Sequence, residues 1–255
     1  MTTSASALPL LRRWMNDYFN RHDDEAARAF IAPEYALHIG DVVCRGRDEI
    51  WLPAVAGQMR PFPGLRMTVH QTLAGPNWAA AWFSEHGASN GRVGCWSGVA
   101  IYFSNGEQLT RCIAQEDYQT RQRQLKSGVA DCVDPPAAAP WDVEPRPRHE
   151  AAEAVVRRWL KGSWPAQDVR CDDEHITRDP LRFEVRDVEI DTLLSCGSDV
   201  VFHARQSGVY RRGLAGVETA GAVAALHVNG LVRVEGGRVR AGRIIRDRAG
   251  LPAAL

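Results

Sequence analysis

The sequence predicts an α+β protein built from two successive copies of one small domain, each running from helices into a curved antiparallel sheet. Three observations carry this. Apolar residues recur at helical spacing near residue 10 and again near residue 155, and each run gives way to strand-like alternation. Two related endings, NGEQLTRCIAQEDYQTRQRQL at 105–125 and GGRVRAGRIIRDRAGLPAAL at 236–255, place a turn, a strand and an aspartate in the same order. Between the copies, residues 126–148 hold five of the chain's fourteen prolines, a density that suits neither a helix nor a central strand. The expected division is a first domain over 1–126, a Pro-rich linker over 127–148 and a shortened second domain over 149–255.

In the first copy Leu10, Leu11, Trp14, Met15, Tyr18, Phe19 and His22 fall three and four residues apart, predicting one amphipathic helix to about Phe30, ended by Pro33. Residues 35–44 have strand character and Gly46 breaks them. Asp48 opens a second helix, which Pro61 and Pro63 stop. The period then changes to two: Leu65, Met67, Val69; Trp78, Ala80, Trp82; Val99, Ile101, Phe103. Turn signals separate these runs at Gly75-Pro76-Asn77, Asn90-Gly91 and Asn105-Gly106, the last read as a type I′ hairpin turn.

The second copy opens with HEAAEAVVRRWLKGSW, whose Arg157 to Leu160 echo Arg12 to Met15. Trp14 to Asp117 spans 103 residues and Trp159 to Asp247 spans 88, a deficit of 15. That is the length of the EIWLPAVAGQMRPFP region, and no second helix is readable between Arg170 and Phe183. Strands are expected at 183–190, 200–210, 225–234 and 239–247, with Gly236-Gly237 as the last turn.

Composition is that of an ordinary globular protein, 45% hydrophobic and 24% charged. A formal net charge of zero gives no global reason to expect nucleic acid or an anionic membrane as partner. Six cysteines stand without a CxxC or a close pair, the usage of a reducing compartment rather than of a zinc site. The first apolar run is too short for a secretion signal, so the expected location is cytoplasmic. No phosphate-binding, zinc-protease or nucleophile-elbow motif is present.

Several of these residues resemble the SnoaL-like polyketide cyclase branch of the NTF2-like superfamily. Asp117 at a strand end is followed seven and eight residues later by Gln124-Leu125; Asp247 has only Leu255 at the matching distance. Glu85-His86-Gly87 resembles the family's strand segment with a substrate-facing histidine before glycine, and His38 in YALHIGD stands where the family often has a histidine. The resemblance covers most of 8–126 and, more thinly, 149–255. It implies two cone-shaped domains, each a curved sheet wrapped around N-terminal helices, the second lacking a helix. It further implies a cofactor-independent enzyme of isomerase or lyase type, acting on a small-to-medium apolar carbonyl or aromatic compound.

On that resemblance Asp117 is the proton shuttle, with His86 and His38 as its polar partners, and no metal or cofactor is required. Tyr18, Trp51, Trp82, Trp96 and Tyr102 form the wall of the pocket. The two sheets are expected to pair within one chain as an intramolecular pseudo-dimer, with room for further homo-oligomerisation. Two alternatives stand beside this. One is a non-catalytic ligand-binding or protein-interaction module, since ASNGRVGCW lacks the family's Gly/Pro-Thr-Gly pattern. The other is a hydrolase or dehydratase using the same pocket. Asp117 can also be read as a cap for the residues after it, and His203 and His227 as a polar pair in the second copy.

Overall fold

The computed structural model describes residues 6–162, 168–214, 216–218 and 220–254. Two compact units divide the chain: Met1–Ala114 with Arg121–Arg146, and Gln115–Thr120 with Pro147–Leu255. The last residues of one strand and the beginning of the helix after it, 115–120, therefore belong to the second unit.

The first unit opens with α1 (Leu8–Arg13), which continues as a π-helical stretch over Trp14–Phe19, and then α2 (Asp24–Phe30). The single helix predicted to Phe30 is thus two. Asp23 is the reason: its carboxylate accepts from the N–H groups of Glu25 and Ala26, both at 3.1 Å, which makes it an N-cap rather than an interior residue. His22 just before it takes a positive φ of 57°. Its Nε2 donates to the Leu65 carbonyl at 2.9 Å, so this exposed histidine pins the break rather than facing a cavity.

β1 (Ile31–Ile39), β2 (Val42–Arg45), a π-helical turn (Arg47–Trp51) and α3 (Leu52–Met59) follow. Pro33 lies inside β1 rather than ending the helix, at the point where the pairing with β6 slips between Ile31 and Ala36. The meander is β3 (Arg66–Ala74), β4 (Trp78–Ser89), β5 (Arg92–Ser104) and β6 (Leu109–Glu116), and α4 (Tyr118–Ser127) closes it. Strand order is β2-β1-β6-β5-β4-β3, with β1 parallel to β6. The I′ geometry falls at Asn90-Gly91, with φ of 51° and 74°. Asn105-Gly106 is instead a wider loop. There only Gly106 has positive φ, and the Asn105 side-chain oxygen takes the N–H groups of Glu107 and Gln108.

The second unit contains α5 (Glu150–Gly162), β7 (Val169–Cys171), β8 (Arg182–Cys196), β9 (Asp199–Arg212), β10 (Val223–Glu235), β11 (Arg238–Arg246) and α6 (Leu251–Ala254). Its order is β7-β11-β10-β9-β8, with β7 parallel to β11 as β1 is to β6. Among the described residues, turns alone join β7 to β8, where the first unit has β2 and the helical segment. The repeat extends to packing detail. A Cβ added to Gly98 of β5 would meet the Phe83 ring at 2.3 Å, and one added to Gly230 of β10 would meet Phe202 at 2.3 Å. Each phenylalanine lies flat over its cross-strand glycine. Both units are α+β, with helices ahead of a largely antiparallel sheet.

Candidate functional site

Side chains alternate between the two faces of a strand, so register decides which candidates can meet. Tyr102 on β5 touches the Trp14 ring at 5.3 Å, which marks the helix-covered, inner face. Trp96, six residues away on the same strand, shares that face, and its direct cross-strand partner is Glu85. His86 therefore points the other way, opposite Cys95. On β1, Tyr35 stacks edge-on against Trp51 at 5.0 Å, which makes Tyr35 and Leu37 inner and His38 outer.

The inner face is dense with rings. Tyr18 lies 5.9 Å from Trp14 and 5.2 Å from Trp51. Trp96 lies 5.5 Å from Phe62. Tyr18, Trp51, Trp96 and Tyr102 are all buried and share this face. Desolvation pushes the Tyr18 phenol well up, and the nearby Asp24 charge adds to it, so its hydroxyl stays protonated. Trp82 is separated from the other four: it lies on the outer face, with its ring 5.0 Å from His70.

Glu85 is the charged residue of this aromatic layer, only 1% exposed. The half-buried Arg121 lays its guanidinium 5.2 Å from the Trp96 ring and 5.5 Å from Phe62. A buried carboxylate, a cation and a wall of rings thus gather around Trp96. Sequence reasoning misses Glu85 because the histidine beside it is the more conspicuous candidate. The available signal is parity: Glu85 shares the β4 face of Phe83, an apolar core position, and His86 does not.

The outer face holds a different group. Burial holds the His86 imidazole below its ordinary range, and His70 adds to that. Burial, then Arg111 and Arg45, do the same for His38. Both rings are therefore neutral near pH 7. The Nδ1 of His70 donates to the Pro135 carbonyl at 2.9 Å, which leaves its Nε2 to accept from the Ser84 hydroxyl at 2.7 Å.

Asp117 stands in the second unit, 1% exposed, in a cluster of fixed charges. It caps the start of α4, accepting from the Thr120 N–H at 3.1 Å and the Thr120 hydroxyl at 2.7 Å. Arg248, 4% exposed, reaches it at 2.5 Å, and also Asp173 at 2.6 Å and Asp172 at 3.4 Å. Burial raises the Asp117 pKa; Arg248 opposes, and the neighbouring Asp172 and Asp173 carboxylates push it up again. Asp117, His86 and His38 do not converge on the aromatic wall. The arginine that engages Asp117 is Arg248, 131 residues away.

The matching Asp247 is likewise a cap, accepting from the Gly250 N–H at 2.8 Å. His203 and His227 stack at 5.3 Å with nearly parallel rings, and Nδ1 of His203 meets the buried Asn229 side chain at 2.7 Å. Cys171, Asp172 and Glu174 come close enough together to suggest metal ligands. Arg246 already engages both carboxylates, donating to Asp172 at 2.7 Å and to Glu174, so the cluster is charge-compensated by arginine.

Residues 11–112 match the SnoaL-like domain family. Among solved structures, the chain is similar to IdmH of Streptomyces antibioticus, a candidate polyketide cyclase, at 20% identity over 46% of this chain and 96% of that one, with a TM-score of 0.42. It is similar to a candidate SnoaL-like polyketide cyclase from Jannaschia sp. CCS1 at 12% identity, over 47% and 91% of the two chains, TM-score 0.42. It is also similar to an LEH-like epoxide hydrolase of M. tuberculosis at 12% identity, over 48% and 90%, TM-score 0.42. No curated protein sequence matches the chain. No described helix is long and apolar enough to cross a membrane. The stretch that matches the SnoaL-like domain family thus lies in the first unit, and the second unit repeats that unit's strand order in shortened form.

Proposed function

We propose that the first unit is a cofactor-independent acid/base catalyst of the polyketide cyclase and ketosteroid isomerase kind, acting on a small-to-medium apolar carbonyl compound, with Glu85 as its proton acceptor. The supporting observation is the burial of that carboxylate on the aromatic inner face, opposite Trp96. Burying a carboxylate among rings is costly for folding, and such groups concentrate where proton transfer is needed. Glu85 removes a proton from the carbon next to the carbonyl, the electron pair moves onto oxygen, and the Arg121 guanidinium stabilises the enolate. The proton returns to a different carbon in isomerisation; in cyclisation the enolate carbon attacks a second carbonyl, whose π pair moves onto oxygen, and the resulting alkoxide takes the proton back from Glu85. Tyr18, Trp51, Trp96 and Tyr102 orient the ring of the substrate.

The test is deuterium exchange from solvent into the α-carbon of a panel of cyclic ketones and β-keto esters, monitored by NMR. The wild-type chain is expected to catalyse exchange, Glu85→Gln to lose about 10²–10⁴-fold, and Asp117→Asn to retain it when folded. Exchange that persists in Glu85→Gln overturns the assignment of the base. A second reading, a non-catalytic ligand-binding module, draws support from one observation: Asp117 is tied to Thr120 and Arg248, and His86 and His38 lie on the outer face. Saturable binding of the same ketones without exchange by any variant favours that reading.

A further inference from the structure

The second copy is 15 residues shorter than the first between its helix tryptophan and its strand-end aspartate. In the first unit the segment between β2 and β3 places Trp51 against Tyr18 and Tyr35. The second unit has only turns between β7 and β8, and beside them lies a cavity of about 560 Å³. That volume falls in the range of small-molecule sites, roughly 300–1,000 Å³.

Its lining has two characters. Leu160 from the end of α5, Leu181 from the connecting turn, and Phe183, Val185 and Val188 from β8 supply apolar surface. Lys161, Arg182 and Arg186 supply positive charge from the exposed rim. None of these three makes an ion pair with a described carboxylate, whereas nearby Arg211 and Arg212 are paired with Glu184 and Asp179. The remaining charges do not cancel them. Arg246 is buried and engaged by Asp172 and Glu174, which leaves Asp187 in the lining, with Glu184 beside Arg186 but paired to Arg211, against three cations. Cations without an ion-pair partner among the described residues, set over an apolar floor, form a binding site for a molecule with the same two characters.

We propose that the second unit binds an amphipathic organic anion, an acyl or alkyl chain ending in a carboxylate or phosphate. The anionic head meets Lys161, Arg182 and Arg186, and the chain lies against Leu181, Phe183 and Val185. This site is separate from the inner face of the first unit and does not depend on the role of Glu85. It makes the shortened copy a binding domain in its own right.

Isothermal titration of the full chain with decanoate, decyl phosphate, decanol and decyltrimethylammonium tests this. An anionic ligand is expected to bind with a Kd at least about tenfold below that of decanol, as charge-assisted hydrogen bonds require. The stronger of decanoate and decyl phosphate identifies the head group. The double variant Arg182→Ser/Arg186→Ser, made at exposed positions, should weaken the anion about tenfold with Tm unchanged, and Val185→Trp should abolish binding by filling the floor. Equal affinity for decanol, an anion affinity unaffected by either variant, or no saturable binding below the micellar concentration overturns the proposal.

Discussion

A guanidinium carries five N–H donors, and Arg248 donates to Asp117, Asp173 and Thr120 and lies 3.4 Å from the Asp172 carboxylate. Removing it leaves buried carboxylates without their shared cation, so Arg248→Met should lower the unfolding free energy by about 3–5 kcal/mol. The midpoint of urea unfolding measures this. Asp117→Asn should cost less, because asparagine still caps the helix and the cation keeps two acidic partners. The pH dependence separates the two. Asp117 has a raised pKa when folded, so the folded chain holds a proton that the unfolded chain releases. Its stabilising contribution is full below its ordinary value of 3.8 and is lost as pH rises through the elevated one. The stability difference between wild type and Asp117→Asn should therefore shrink as pH rises out of that range; a difference growing with pH would mean that Arg248 outweighs burial. None of this is legible in the sequence, since the partner of Asp117 lies 131 residues away and strand-end aspartates look alike before folding.

At the scale of elements, periodicity carries most of the fold. Alternation locates the strands of both meanders, and the missing helical segment of the second copy is evident from length alone. Competing local chemistry decides where periodicity fails: Asp23 caps a new helix inside a continuous apolar pattern, and a slipped register lets Pro33 enter a strand. The proline-rich segment shows the same limit. Its composition predicts a linker, and residues 135–140 lie along the edge strand β3. The Ala137 N–H donates to the Val69 carbonyl at 2.9 Å, and Thr72 donates its hydroxyl to the Pro140 carbonyl. An open edge is a pairing hazard, and this strap covers part of it. Ala137→Pro removes the donor, whereas Ala138→Pro leaves this bond intact. Limited proteolysis should therefore cut residues 126–146 faster in the first variant than in the second. Equal rates would show that the edge bond does not hold the strap.

At the scale of the whole chain the two copies differ in what fills their interiors and in how they are bounded. Two repeated endings suggest two continuous domains, yet the second unit draws in Gln115–Thr120 from the first copy's ending. A segment supplied from outside the continuous stretch completes the Arg248 cluster, and without it Arg248 keeps only Asp172 and Asp173. A fragment of residues 147–255 should for this reason unfold at lower temperature than the corresponding transition of the full chain. The decisive comparison is a cycle. Arg248→Met should cost measurably less in the fragment than in the full chain, because the bond to Asp117 is already absent there. Equal costs in both backgrounds would mean that Asp117 contributes nothing to the cluster, and that the second copy is as self-sufficient as its sequence alone suggests.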